Sequence, residues 1–256
     1  LILLGLFIMG LATGIFSALL GLGGGIFLVP ALTLIFHFPI RVAIGTSLVG
    51  ILATSAGVAA VMPRGHGADV GVALRLEIAT TAGAILGSWL AGFVSTNLLN
   101  ILFACVVFLT AGYVFYKARH KVNPSITERL FIKEYQPKHW PAGLSFASIA
   151  GMLAGMLGIS GGFIKVPILY SLMEVPLGIA TATSSFMVGI TAAASVFIYY
   201  GRGDIHPIIV IPTAVGIFVG AMIGIYLLPK LRVNIIRFLL IGLLIAMGVQ
   251  MLLNAL

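Results

Sequence analysis

Long stretches without a charged side chain decide what this chain can become. No Lys, Arg, Asp or Glu precedes Arg41. None lies between Arg41 and Arg64, Glu77 and Lys117, Lys138 and Lys165, or Glu174 and Arg202, and none follows Arg237. Each gap is long enough for at least one helix of about 20 residues, the length that crosses a hydrocarbon core of about 30 Å. The whole chain is 61% hydrophobic and only 8% charged, against about 25% charged in a soluble domain. It cannot cover a water-facing surface, so lipid must take the place of water. In lipid the backbone has to satisfy its own hydrogen bonds, which leaves helices or a closed barrel. The runs are too long and too evenly apolar for barrel strands. The expected fold class is an all-α integral membrane protein.

A net charge of +8 in a soluble chain would raise nucleic acid as a partner. Here most basic residues sit in short stretches between apolar runs, where membrane proteins keep them on the cytoplasmic side, and no nucleic-acid partner is expected. Cys105 is the single cysteine, which excludes an intrachain disulfide and any Cys-x-x-Cys chemistry. His37, His66, His120, His139 and His206 show no i, i+4 pairing and no acidic companion, so neither a metal site nor a cofactor is expected. No Ser-His-Asp set or carboxylate pair points to an enzyme. The chain opens in Leu-Ile-Leu-Leu without a charged leader. That run reads as a true helix, with a few residues expected before it, rather than a signal peptide.

Ten apolar segments can be marked, near 1–20, 25–38, 42–62, 72–94, 98–117, 141–157, 162–174, 177–200, 205–228 and 232–254. The polar linker 118–140 divides two transmembrane repeats, 1–117 and 141–256. Gly21-Leu22-Gly23-Gly24-Gly25 followed by Pro30 reads against Gly158-Ile159-Ser160-Gly161-Gly162 followed by Pro167. The register continues without a gap: Pro39 meets Pro176, Ala43 meets Ala180, and Thr46-Ser47 meets Thr183-Ser184. Gly83-x-x-x-Gly87 then meets Gly216-x-x-x-Gly220. Transporters are commonly built from such repeats.

Residues 1–38 as one helix would measure roughly 57 Å, nearly twice the hydrocarbon core. The chain must therefore break and turn back at the glycines. Each half then makes an odd number of crossings, which inverts the second half. Arg64, the linker cluster, Lys230 and Arg232 fall on one side, and Arg41 and Arg202 on the other. The richer side should be cytoplasmic, with both chain ends outside.

The two glycine clusters carry the chemistry. A broken helix presents free N–H groups and a partial positive charge, which suit an anion. Inverted repeats bring two such breaks toward the bilayer midplane. Close helix packing through small residues is the alternative. It is assigned to the Gly83/Gly87 and Gly216/Gly220 pairs. Pro30 and Pro167 are expected to help shape the breaks. Lys165 is costly in an apolar helix: it either faces an anionic substrate or snorkels to the interface. Thr46, Ser47, Thr183 and Ser184 offer hydroxyl donors at equal distances from both breaks, or serve as interhelical glue. Glu174 is expected to mark a helix end. Arg75 and Glu77 are placed at an interface near a helix start. No phosphate-binding loop is present, because no strand precedes the glycines and no Gly-Lys-Ser follows.

The repeated glycine motif with its Val-Pro, at 21–30 and 158–167, resembles the TauE/SafE family of bacterial membrane proteins over essentially the whole chain. Family members are described as sulfite or organosulfonate exporters; the resemblance implies movement of small sulfur oxyanions across the cytoplasmic membrane, coupled to an ion gradient (proton or sodium), with the direction left open. It carries over Gly21, Gly23, Gly24, Gly25 and Pro30, then Gly158, Gly161, Gly162 and Pro167. Ser160 stands where the first copy has glycine. The expected site thus comprises these glycines with Ser160, Lys165 and the four hydroxyl residues, around a small anion. Rival readings are an anion channel and a non-transporting membrane enzyme or partner subunit; a homo-oligomer is left open.

Overall fold

The computed structural model describes residues 2–20, 24–61, 68–119, 135–227 and 233–255. Those residues form helices and connecting turns, with no strand among them. The first half contributes α1 (Ile2–Leu20), α2 (Gly25–Leu34), α3 (Ile40–Val61), α4 (Val70–Leu90) and α5 (Thr96–Arg119). The second half contributes α6 (Trp140–Leu157), α7 (Gly162–Pro167), α8 (Leu177–Gly201), α9 (Pro207–Leu227) and α10 (Val233–Leu253). A π-helical turn, Ile168–Leu172, continues α7.

Five helices (α3, α4, α6, α8 and α9) are long and apolar enough to cross a membrane. Their surfaces agree with lipid: Ile78, Phe197, Ile208 and Phe93 are more than 70% exposed. Ser17, Thr46, Ser47, Glu77, Lys165 and Thr191 point inward and are buried. A soluble protein arranges these classes the other way round.

The two halves interlock. α1 packs along α9 and α4 along α6, while α3 lies against α8 and α9. Small residues set these contacts. A β-carbon on Gly83 or Gly87 would land on the backbone of Ser148 or Met152, and one on Gly151 or Gly155 on the carbonyls of Thr80 or Ala84. Gly216 and Gly220 meet Phe7 and Leu11 in the same way, and Gly10 and Gly14 meet Thr213 and Ile217. The Gly-x-x-x-Gly pairs are therefore packing surfaces, where backbones close up in a medium that offers no hydrophobic drive between helices.

At one end of the bundle, Gly5 faces Phe36, Arg41 donates to the Val94 carbonyl at 2.9 Å, and Arg202 donates to the Ser88 carbonyl at 2.8 Å. Asn254 shares a cleft there with Pro39 and Asn100. At the other end, the Asp69 amide donates to Thr183 Oγ1 at 3.0 Å, and the Tyr135 hydroxyl donates to the Asp69 carboxylate. Arg75 lies over the Trp140 ring at 5.3 Å, and Lys138 pairs with Glu174 at 2.8 Å. Glu174, expected to mark a helix end, does so: it is exposed, just past the π turn, with φ of 56°.

Three elements differ from the sequence expectation. The segment expected over 72–94 is helical only to Leu90. The segment expected over 25–38 is helical only to Leu34. The segment expected over 162–174 changes to a π turn after Pro167. Past Pro167 the bonding widens from i→i+4 to i→i+5. The bond from the Met173 amide to the Ile168 carbonyl, at 3.0 Å, records that widening. Pro30, by contrast, lies within α2, which continues past it.

Candidate functional site: two glycine breaks and a buried charged triad

α2 starts at Gly25 with Gly24 as its N-cap. The first N–H groups of any helix lack an intrahelical acceptor, and here they begin inside the bundle rather than in water. Gly24 and Gly25 are both buried. Against them lies the end of α6. Its cap, Gly158, adopts φ of 67°, a left-handed conformation natural to glycine. A β-carbon on Gly25 would strike the Gly158 carbonyl oxygen, so the two breaks meet backbone to backbone. Ser47 joins them from α3, donating its hydroxyl to the same carbonyl at 2.6 Å.

Hydroxyls gather round this junction. The Cβ direction of Gly24 faces Thr13, Ser17 and Thr54 within 3.7 Å, and all three are buried. Thr54 returns its hydroxyl to the Gly50 carbonyl at 3.0 Å. Ser17 Oγ and Thr46 Oγ1 have no hydrogen-bond partner among the described residues. Buried hydroxyls normally find partners, so these two mark a polar interior with capacity to spare.

The second break opens α7. Gly161 is its N-cap with φ of 64°, and Ser160 is buried beside it. One turn on, Lys165 is 2% exposed. Of the two readings of Lys165, snorkelling is excluded, because the side chain runs into the protein. Its ammonium donates to Thr191 Oγ1 at 2.7 Å and lies 3.7 Å from Glu77 Oε2. The Thr191 hydroxyl reaches Glu77 Oε1 at 2.6 Å, and Thr81 donates to the same oxygen at 3.1 Å. Glu77 Oε2 accepts no hydrogen bond among the described residues. Glu77 thus corrects the sequence placement at an interface. Asp69 caps α4 by accepting from the Val72 amide at 2.9 Å. The helix therefore begins two residues before the expected segment, and Glu77 lies about two turns inside it. Arg75 does stay exposed, on the other face.

The remaining predicted residues are divided. Gly24, Gly25, Ser47 and Gly158 come together, with Thr46 next to Ser47 on α3. Gly161, Gly162 and Lys165 belong to the second break. Thr183 is buried, but its hydroxyl binds the Asp69 amide at the bundle end; Ser184 is buried beside it. Gly21 and Gly23 lie outside the described residues. A separate cleft of about 180 Å³ lies between α2, α3, α5 and α10, lined by Thr33, Thr96, Asn100 and Asn254 among others. Sequence reasoning missed Thr13, Ser17, Thr54 and Thr191; it named Glu77 among the few groups able to carry a proton but placed it at an interface. One signal was present: Thr191 occupies in the second half the register position of Thr54 in the first.

Known proteins place this architecture. The sequence matches the family described as "Sulfite exporter TauE/SafE" over residues 6–251. It is 25% identical to the probable membrane transporter protein YunE of Bacillus subtilis, with 96% of each chain covered. It is 27% identical to the probable membrane transporter protein MJ0441 of Methanocaldococcus jannaschii, covering 97% of this chain and 94% of that one. The probable membrane transporter protein YdhB of Bacillus subtilis is 26% identical over 88% of each chain. No solved structure matches the chain. With several apolar helices and this match over nearly its whole length, the chain is a multi-pass membrane transporter, not an enzyme, and belongs to the TauE/SafE family.

Proposed function

We propose that the protein is a secondary carrier of a small anion, sulfite or an organosulfonate, working by alternating access between two inverted repeats, residues 1–117 and 141–256. The observation that carries this reading is the contact of the two glycine breaks in the bundle interior, ringed by buried hydroxyls. The α2 N-terminus, Ser47 and Thr46 supply uncharged donors, and Lys165 supplies the cation. Gly21, Gly23, Ser160, Gly161, Gly162 and Ser184 complete the site as the repeat lays it out, while Thr183, bound to the Asp69 amide, stands apart from it. The repeat register matches Ser184 to Ser47 and Gly158 to Gly21.

Inversion is supported by which residues share an end. The beginning of α1, the start of α3 and the end of α10 lie at one end, and Asp69, Tyr135 and Trp140 at the other. The first half then starts where the second half finishes. Membership of the family supports a bacterial cytoplasmic membrane. The basic linker, 118–140, is placed in the cytoplasm by the positive-inside rule.

The test is flux through proteoliposomes of the purified protein, loaded in turn with sulfite, sulfoacetate, thiosulfate, sulfate and chloride. Saturable movement of one sulfur oxyanion, with chloride excluded, is the expected result. Absence of flux for every anion, in vesicles that hold correctly inserted protein, would overturn the substrate claim.

A further inference from the structure

The carrier reading leaves one buried group without work. Glu77 is titratable, 4% exposed, and has one oxygen with no hydrogen-bond partner among the described residues. Its Oε1 is held by Thr191 and Thr81, while Oε2 faces the Lys165 ammonium across 3.7 Å. At that separation the two ions attract without forming a hydrogen bond. Thr191 stands between them, accepting from Lys165 and reaching Glu77.

We propose that Glu77 is the coupling-proton site, and that the transported anion and the proton bind together by exchanging places in the charge balance around Lys165. The inference rests on the carrier reading. In the empty protein Lys165 and the ionised Glu77 cancel. When an anion engages the Lys165 ammonium, a proton from the open aqueous side forms an O–H bond at Glu77 Oε2. Lys165 keeps its own protons throughout. The loaded protein then holds one ammonium, one neutral carboxyl and one monoanion, and its site is again neutral.

The intermediate combinations are not neutral. Anion without proton leaves a net negative charge at the site, and proton without anion leaves a net positive one. An uncompensated charge at bilayer depth suppresses a state by about a hundredfold. The two neutral states are therefore the ones free to reorient, which couples one proton to one monoanion in the same direction.

The surroundings leave this balance to the pair. α4 packs on α6 and α8. α6 carries no charged or titratable side chain, and α8 none but Tyr199 and Tyr200 near its far end. On α7 and its π turn the titratable groups are Lys165 and Tyr170, and Tyr170 is exposed. On α4 itself Arg75 turns outward over Trp140, and Asp69 at the N-cap is committed to Tyr135. The register counterparts in the opposite halves are Leu28 for Lys165 and Val210 for Glu77. The fold places one such pair among the described residues, on one side of an otherwise duplicated site.

The experiment compares the wild type with Glu77→Gln in proteoliposomes, using radiolabelled sulfite. Two modes are read: exchange of internal for external sulfite, and net uptake driven by an imposed pH gradient. A permanently neutral side chain permits the loaded form but leaves the empty form charged. E77Q is therefore expected to retain exchange and lose gradient-driven net uptake. Gradient-driven uptake equal to wild type would overturn the proton site, as would loss of exchange in an E77Q protein that elutes normally on gel filtration. Should E77Q fail to fold, Glu77→Asp serves: the pH dependence of net uptake must shift while exchange survives, and an unchanged profile overturns the proposal. If the wild type exchanges no sulfite, the substrate reading fails by itself. Infrared titration of the purified protein then decides on Glu77: a carboxyl band that appears on acidification in wild type and is missing in E77Q supports the site, and its absence from wild type overturns it.

Discussion

Lys165 and Glu77 show how a residue's cost reveals its use. A lone cation in an apolar helix was visible in the sequence because nothing nearby could hydrate it. Glu77 was hidden by Arg75, two positions earlier, which made the stretch look interfacial. What the sequence lacked was the helix start: once Asp69 caps α4, Glu77 falls inside the bundle. Removing one member of a buried pair leaves the other uncompensated, at a cost of about 3–5 kcal/mol. Lys165→Met should therefore lower the melting temperature in detergent. The double variant K165M/E77Q should recover most of that loss, since two neutral groups need no pairing. Asp69 gives a milder and pH-dependent prediction. Burial raises its carboxyl pKa, but the Tyr135 hydroxyl, the Val72 and Gly71 amides and the Arg75 charge outweigh that and hold it below the ordinary value. A depressed carboxyl stabilises the fold above its unfolded pKa, and that stability is lost as pH falls through the folded one. Asp69→Ala should cost about 1 kcal/mol at neutral pH, as for other N-caps. The gap to wild type should narrow in acid, as measured by thermal unfolding at a series of pH values.

Among the helices, glycine does two jobs that look alike in sequence and differ in space. At 83, 87, 151 and 155 it lets α4 and α6 touch along their backbones. At 24, 25, 158 and 161 it interrupts a helix and lets two chain reversals meet or bend. The clustering of glycines with a proline a few residues on told the two uses apart beforehand. The meeting of Gly25 with Gly158 could not be foreseen, because it depends on how the halves interlock. Gly87→Ala would drive a β-carbon into the Met152 carbonyl. It should destabilise the protein by about 1–3 kcal/mol, the usual penalty of overpacking. Gly112, in α5, has open space around its Cβ position. Gly112→Ala should be neutral or stabilising by up to about 1 kcal/mol, since alanine is the better helix former. Parallel melting curves of the two variants check both signs.

Across the whole molecule, the apolar runs made the class of fold readable. The interlocking could not be read, because nothing in a single sequence states that α1 packs on α9 and α4 on α6. That exchange of partners matters for transport. Each half's first helix packs on the other half, and in the proposed carrier the long pairs move as units around the junction of the breaks. A site enclosed between such units is reached from one side at a time, which is what separates a carrier from a pore. The distinction can be measured without knowing the coupling ion. Vesicles containing the protein are loaded with labelled sulfite and diluted into buffer with or without unlabelled sulfite outside. A carrier whose loaded form reorients faster than its empty form predicts that external sulfite accelerates the loss of label. Efflux unaffected or slowed by external sulfite, with a rate that does not saturate, would contradict alternating access and identify a channel.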